Sequence, residues 1–233
     1  MKKSKNAKRS NKMTILFSVI GFVVICIAIV VLTSLYISNP TKGAVITQRA
    51  DSKSALLVVD VQNDITGNTG AYRNTDEFVK SVNQAIFFAE ENGMEILYVK
   101  NEYGNNPITL LLSGGRFRKD TEGAAFDRDL YVVNENVFSK SIGDSFSSKA
   151  FDEYLVSHDV DTIYIVGADA AACIYSTARG GLNRNYNVCI IRDAVITRSD
   201  DIFNQMLNQY EKNSIMVIDM HDFKELCDSY FSK

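Results

Sequence analysis

Histidine and proline are almost absent from this 233-residue chain. Only His158 and His221 occur, which rules out a His-rich metal site. Two prolines against 13 glycines leave no collagen-like or Pro-rich tract. No internal repeat and no low-complexity segment interrupts the sequence. Acidic residues are missing from residues 1–40, which carry six Lys or Arg. The other 19 basic and 28 acidic residues give residues 41–233 a net charge of −9. Nucleic-acid binding needs a basic footprint, so an acidic body argues against nucleic acid as a partner. With 46% hydrophobic and 23% charged residues, the composition is that of a globular protein, not a disordered or fibrous one.

What is present, first, is one long apolar run. Thr14–Ile37 is 24 residues without a charge. At roughly 1.5 Å per residue, a helix of that length crosses a hydrocarbon core of about 30 Å. The run exceeds the ~7–15-residue apolar region of a cleaved signal peptide, and it lacks the polar face of a core helix. Ala28 and Ser34 leave cleavage open, but length and flanks favour an uncleaved, single-pass anchor in the lipid bilayer over residues 14–37. Lys2, Lys3, Lys5, Lys8, Arg9 and Lys12 precede the span. Positive charge stays on the cytoplasmic side, so residues 1–13 are expected as a cytoplasmic tail. The remainder is then expected outside the cell membrane. Val23-Val24-Ile25 lacks the small residue that precedes a lipidated cysteine, so Cys26 reads as apolar filler. Residues 38–54 are polar and aperiodic and read as a linker lifting the domain off the surface. Residues 55–233 are enough for one substantial core.

Within that domain, apolar runs alternate with amphipathic stretches. Ala55–Val59, Met94–Val99, Leu130–Val133, Thr162–Val166, Asn187–Arg192 and Ser214–Ile218 read as strands. Helical spacing marks Asn74–Asn92, Ser147–Ser157, Ala170–Arg184, Ser199–Lys212 and the segment carrying Phe223, Leu226 and Tyr230. Asn74 with Glu77 resembles a capping box, and Gly93 is a natural stop. Asn101–Lys119 reads as a long loop. Unbroken apolar strands are buried on both faces, and helices between them imply a parallel sheet. The expected fold class is α/β, a three-layer αβα arrangement with a mainly parallel sheet of about six strands.

Ligands of such sheets sit outside the carboxyl ends of the strands. Asp60 follows the first strand directly, Cys173 falls in the first turn after TIYIVG, and Lys140 lies in NVFSKSIGDSF. A thiolate is the nucleophilic form of cysteine, and a helix N-terminus and a nearby Lys both favour it. Asp60 is suited to take the thiol proton and return it to a leaving amine. Backbone N–H groups of GADAAAC are suited to a developing oxyanion. Together these parts make a covalent amidase without histidine.

LLVVDVQNDITG, TEGAAFDRDL, NVFSKSIGDSF and IVGADAAACIYSTARGGLNRNYNVCIIRDAV, in that order, resemble the isochorismatase-like cysteine hydrolase superfamily, which includes nicotinamidases and N-carbamoylsarcosine amidase. The resemblance spans about Ala55–Ile218 and implies a Rossmann-like hydrolase fold. It implies an Asp60–Lys140–Cys173 triad and C–N hydrolysis of a small amide or carbamoyl substrate. It also implies an oxyanion hole from the amides of Asp169 and Cys173, with a cis peptide at Ala168–Asp169. Nicotinamidases carry an Asp-x-His metal motif after the second strand. Here Asn101 and Tyr103 stand in those places. No catalytic metal and no other cofactor is therefore expected, and nicotinamide is disfavoured. Ile65 replaces an aromatic residue that often follows the first motif. Members that open a vinyl ether usually lack the cysteine, whereas Cys173 is present. A homo-oligomer is open.

Tyr103 and Gln62 are the candidate substrate contacts, with Gln62 and Asp64 expected to hydrogen-bond the loop rather than touch substrate. Asp193 is expected to cap a backbone turn, and Asp200 and Asp201 to complement a helix dipole. Cys189 and Cys227 are expected as buried thiols, with a disulfide the alternative. Two other functions compete. A haloacid dehalogenase-type phosphatase would use Asp60 and Mg²⁺, but wants a second Asp where Gln62 stands. A tethered binding domain with a degenerate site needs no reactive trio.

Overall fold

The computed structural model describes residues 2–48, 51, 53–67, 70–72, 75–104 and 106–230. It divides into two units, Met1–Tyr36 and Ile37–Lys233. The first belongs to a single helix, α1 (Lys2–Ser38). Its stretch Ile15–Tyr36 is long and apolar enough to cross a membrane, and none of it is buried. Thr33 donates its hydroxyl to the Ile29 carbonyl at 2.8 Å, so this polar side chain is satisfied within the helix.

The second unit is built on a six-stranded sheet in which every strand pair is parallel. In chain order its elements are β1 (Lys53–Val59), α2 (Asn63–Thr66), α3 (Asp76–Glu91), β2 (Glu95–Asn101), α4 (Pro107–Leu112), β3 (Val137–Lys140), α5 (Lys149–Ser157), β4 (Val160–Ala168), α6 (Tyr175–Leu182), β5 (Asn187–Ile196), α7 (Asp200–Lys212), β6 (Met216–Ile218) and α8 (Met220–Tyr230). The strand order is β3-β2-β1-β4-β5-β6, so the chain winds outward from β1, returns beside it as β4, and winds outward again. The strand pleat sends Ala55, Leu57 and Val59 into the core shared with α5, α6 and α7, and Leu56 and Val58 into the core shared with α3 and α8. These two helical layers make the expected three-layer sandwich. Each fully buried Leu or Val side chain contributes about 1.5–3 kcal/mol.

Several boundaries differ from expectation. Leu130–Val133 is not a strand. Its backbone is held by side chains instead: Tyr131 N donates to Asn83 Oδ1 (2.8 Å), Val133 N to Tyr98 Oη (3.1 Å), and Tyr98 Oη donates to Tyr131 O (3.0 Å). The third strand comes later and ends on Lys140 itself. The expected loop after β2 contains α4, capped by the Asn106 side chain with Pro107 in its first turn. Asn74 lies outside the described residues, and α3 begins at Asp76. Ser199 caps α7 through its hydroxyl, with Asp200 and Asp201 in the first turn. Asp193 Oδ2 accepts the amide of Met220 at 2.7 Å, at the start of α8. Cys189 and Cys227 are buried free thiols.

Residues 41–48, read from composition as part of a free linker, are bound to the domain. Thr41 donates its amide (2.6 Å) and hydroxyl (2.7 Å) to Asp144 Oδ2. Thr41 Oγ1 also accepts from Arg184 Nη1 at 3.0 Å. Ile46 N donates to Arg184 O at 2.9 Å, and the Ile46 side chain packs on the core. Gln48 Nε2 reaches Asn187 Oδ1 at 3.0 Å. These contacts come from polar side chains and backbone, which an apolar periodicity does not register.

Candidate active site at the strand ends

The carboxyl ends of β3, β2, β1 and β4 lie side by side, with Lys140 paired to Asn101 and Val59 paired to both Val99 and Gly167. Asp60 leaves β1 in the left-handed region, at φ 55°, while its amide is still bonded to Val99 O (2.8 Å). That conformation costs about 1–3 kcal/mol in a non-glycine residue and is kept only where the surroundings enforce it. Lys140 crosses behind β2 from the neighbouring strand end. Its Nζ lies 2.8 Å from Asp60 Oδ2, and both side chains are fully buried. Asn101, at the end of the strand between them, donates Nδ2 to the same Asp60 oxygen (2.7 Å) and lies 3.6 Å from Cys173 Sγ. Asp60 Oδ1 and Asn101 Oδ1 are buried and accept no hydrogen bond among the described residues.

Cys173 reaches this cluster from β4. Gly167 has φ 123°, and a Cβ there would overlap the Val59 carbonyl, so only glycine lets β4 pass so close to the end of β1. The next peptide, Ala168–Asp169, is cis. A π-helical turn, Ala170–Ile174, follows and carries half-buried Cys173. Such turns recur at functional sites because they re-aim a side chain within a helix. The Asp169 carbonyl accepts the amides of Ala172 (3.0 Å) and Ile174 (3.2 Å), which flank Cys173. The Asp169 carboxylate accepts from Ala171 N (2.7 Å), Thr197 Oγ1 (3.0 Å) and the Tyr72 hydroxyl. Tyr210 donates to Ala170 O at 2.6 Å. The turn is thus tied from several sides.

Burial, then the Asp60 charge and its hydrogen bond, push the Cys173 thiol up to about 12, against the opposing pull of Lys140 and Asn101. This environment favours the thiol form beside the Asp60 carboxylate. Burial alone would lower the Lys140 ammonium, but the Asp60 charge and hydrogen bond more than offset it, so its pKa is raised and it stays charged. Tyr103 is buried, and desolvation pushes its hydroxyl up to about 12.

Gln62 is fully buried and bonds backbone groups, in line with the loop-bonding role read for it. Its Nε2 donates to Asn101 O (2.9 Å) and Ala124 O (2.7 Å), and its Oε1 accepts from Asn101 N (2.8 Å). It fixes the backbone on which Asn101 stands. The residue missed from sequence is Asn101 itself, read only as the replacement of a metal ligand. Its place just after the second apolar strand, at the same sheet edge as Asp60, was the available clue. Among the described residues no group of three or more His, Cys, Asp or Glu side chains is arranged to hold a metal ion. A neutral amide already bonded to Asp60 and a phenol kept protonated do not fit the donor set of the nicotinamidase metal, and no step is routed through one.

Solved structures share this architecture. An isochorismatase family protein from Desulfovibrio vulgaris superposes with a TM-score of 0.68 at 22% identity, covering 76% of this chain and 98% of that one. N-carbamoylsarcosine amidase from Thermoplasma acidophilum gives 0.64 at 24% identity, covering 72% and 96%. The fold and the strand-end cluster define an α/β protein with a buried Asp–Lys pair beside a cysteine at the sheet edge. The Isochorismatase domain family model matches residues 54–222, and the chain belongs to that family. The uncharacterized isochorismatase family protein YrdC of Bacillus subtilis (strain 168) is 24% identical over 145 residues, 62% of this chain and 74% of that protein.

Proposed function

We propose that this hydrolase cleaves the C–N bond of a small amide or carbamoyl compound through a thioester on Cys173, with Asp60 and Lys140 completing the triad. The observation that carries this reading is the division of labour on Asp60. One oxygen is gripped by Lys140 and Asn101, the other has no partner among the described residues, and the thiol beside it is held protonated. Lys140 holds Asp60 through a buried ion pair of 2.8 Å. Asp60 takes the thiol proton as Sγ attacks the carbonyl carbon, then passes it to the leaving nitrogen. Water activated by the same carboxylate releases the acid and restores the thiol. The amides of Asp169 and Cys173 serve as the oxyanion donors. The fold shared with N-carbamoylsarcosine amidase fits this chemistry.

The basic residues ahead of α1 support an orientation with the N-terminus in the cytoplasm and the hydrolase outside, anchored in the cell membrane by the span. The test is intact-mass analysis of the full-length protein incubated with a panel of small amides and carbamoyl compounds. An acyl adduct that maps to Cys173 and vanishes in Cys173→Ala is expected, with activity that survives EDTA and is lost to a thiol alkylator. Turnover that persists in Cys173→Ala, or that EDTA abolishes, would refute the thioester route.

A further inference from the structure

Residues 38–48 fix the edge at which the chain leaves the hydrolase domain. Ser176, in the first turn of α6 and three residues after Cys173, donates its hydroxyl to Ser38 O at 2.8 Å. From there the segment follows α6 towards its far end. Asn183 Nδ2 donates to Thr41 O at 2.7 Å, and Gln48 Nε2 reaches Asn187 Oδ1 at the start of β5. The chain therefore departs at the carboxyl edge of the sheet, the edge that carries Cys173, Asp60 and Lys140. The apolar stretch ends at Tyr36, two residues before Ser38. Two residues reach about 7 Å at most, so covalent geometry leaves no slack between that edge and the end of the stretch.

The same edge carries an exposed apolar helix. α4 belongs to the loop that follows the carboxyl end of β2. Phe117 N pins this loop to the edge by donating to Asp64 Oδ2 at 2.6 Å, just beyond β1, and Tyr103 N donates to Phe117 O at 2.7 Å. Ile108 and Leu111 lie one helical turn apart and are 42% and 74% exposed. Exposed Arg116, Arg118 and Lys119 follow them. Residues 104–119 hold these three positive charges and no Asp or Glu, although residues 41–233 as a whole have a net charge of −9. Exposed apolar side chains beside a basic cluster match the interface of an anionic bilayer, apolar at the acyl boundary and negative at the headgroups.

Resting on the reading of α1 as a membrane anchor, we infer that α4 and residues 116–119 dock on the anionic surface of the bilayer that holds the span. Ile108 and Leu111 enter the boundary between headgroups and acyl chains, and the three cations lie among lipid phosphates. The Cys173 edge of the domain then sits beside the headgroup layer and not towards bulk water.

The chain contains no tryptophan, so a single indole reports on a single position. Full-length Leu111→Trp is reconstituted in phosphatidylcholine–phosphatidylglycerol vesicles, with and without lipids brominated on their acyl chains, which quench indole on contact. Val156→Trp is the comparison, since Val156 is 53% exposed in the last turn of α5, at the opposite end of the sheet. Flotation with the vesicles in high salt reports insertion of the span. Leu111→Trp is expected to emit at shorter wavelength and to lose most of its emission to brominated lipid, while Val156→Trp loses none. Combining it with Arg116→Glu, Arg118→Glu and Lys119→Glu, or omitting phosphatidylglycerol, should restore the emission, because each basic residue at an anionic surface is worth roughly fivefold in partitioning. Thermal melts confirm that each variant is folded, with Ile108→Trp as the substitute should Leu111→Trp fail to fold. Equal quenching at the two positions, or none in Leu111→Trp, overturns the docking and leaves the anchor standing. A shorter wavelength without quenching assigns this face to a second copy of the chain and overturns lipid as its partner. Quenching that survives both charge reversal and the loss of phosphatidylglycerol overturns anionic lipid as that partner. Full-length protein that fails to float with the vesicles overturns the anchor, and this inference with it.

Discussion

Asp60 and Asp144 are both carboxylates sealed from solvent, at 1% and 0% exposure, yet they are built for opposite purposes. Asp144 is saturated. Thr41 donates twice to its Oδ2, and Phe146 N donates to its Oδ1 at 2.9 Å. Asp60 is lopsided, with Lys140 and Asn101 both on Oδ2 and no hydrogen bond to Oδ1 among the described residues. Burial alone therefore does not mark a reactive acid. A carboxylate with donors on both oxygens holds two segments together, and one with an unmatched oxygen beside a thiol is available for proton transfer.

The largest expected effect breaks the reactive half of this contrast. Asp60→Asn should lower amide turnover on the order of 10⁴-fold, as removal of a member of such a unit does. It also strands the Lys140 ammonium in the core at about 3–5 kcal/mol, measurable by urea melts. The double variant Asp60→Asn, Lys140→Met removes the unpaired charge and should recover much of that stability with no activity. A single variant that still turns over substrate would erase the distinction between the two acids.

Next comes the saturated carboxylate. Asp144→Asn should cost about 2–3 kcal/mol, because hydrogen bonds to a charged acceptor are the strong ones, while turnover per folded molecule stays near that of wild type. The pH dependence sharpens this. Burial, only partly offset by the Thr41 hydrogen bonds, raises the Asp144 pKa. The folded state then holds this proton more tightly than the unfolded chain does. The contribution of Asp144 to stability grows as pH falls through its folded pKa towards the unfolded value near 3.9. The stability gap between wild type and Asp144→Asn should widen on acidification in that window, as read from urea melts at each pH. Smallest is Thr41→Val, which removes one hydroxyl donor and keeps the backbone one. A loss of about 1 kcal/mol and a fall of a few degrees in Tm are expected, with unchanged turnover.

Much of the site was legible because parallel sheets bring distant strand ends together. Asp60 after an unbroken apolar strand and Cys173 after GADAAA needed only that rule. Lys140 was found with its strand placed too early, since Leu130–Val133 has the composition of a strand while its hydrogen bonds go to Asn83 and Tyr98. Asn101 was seen only as something missing, because no pattern in one sequence tells which neighbours a buried amide will meet. The depth of Cys173 was hidden for a related reason: helix and lysine effects can be read from sequence, but the desolvation that raises its pKa cannot. The short helix α4 has no polar face to give it periodicity, and the particular backbone partners of Gln62, Asn101 and Ala124, were hidden because they are remote in sequence.

The grip of Thr41 and Ile46 on Asp144 and Arg184 decides where a soluble fragment of this enzyme should begin. Cloning from residue 55, where the apolar pattern starts, would strip a closing seam from the body and expose a buried acid to water. Starting at residue 39 discards the greasy segment, keeps the seam, and should yield the better-behaved material for assay and crystallisation.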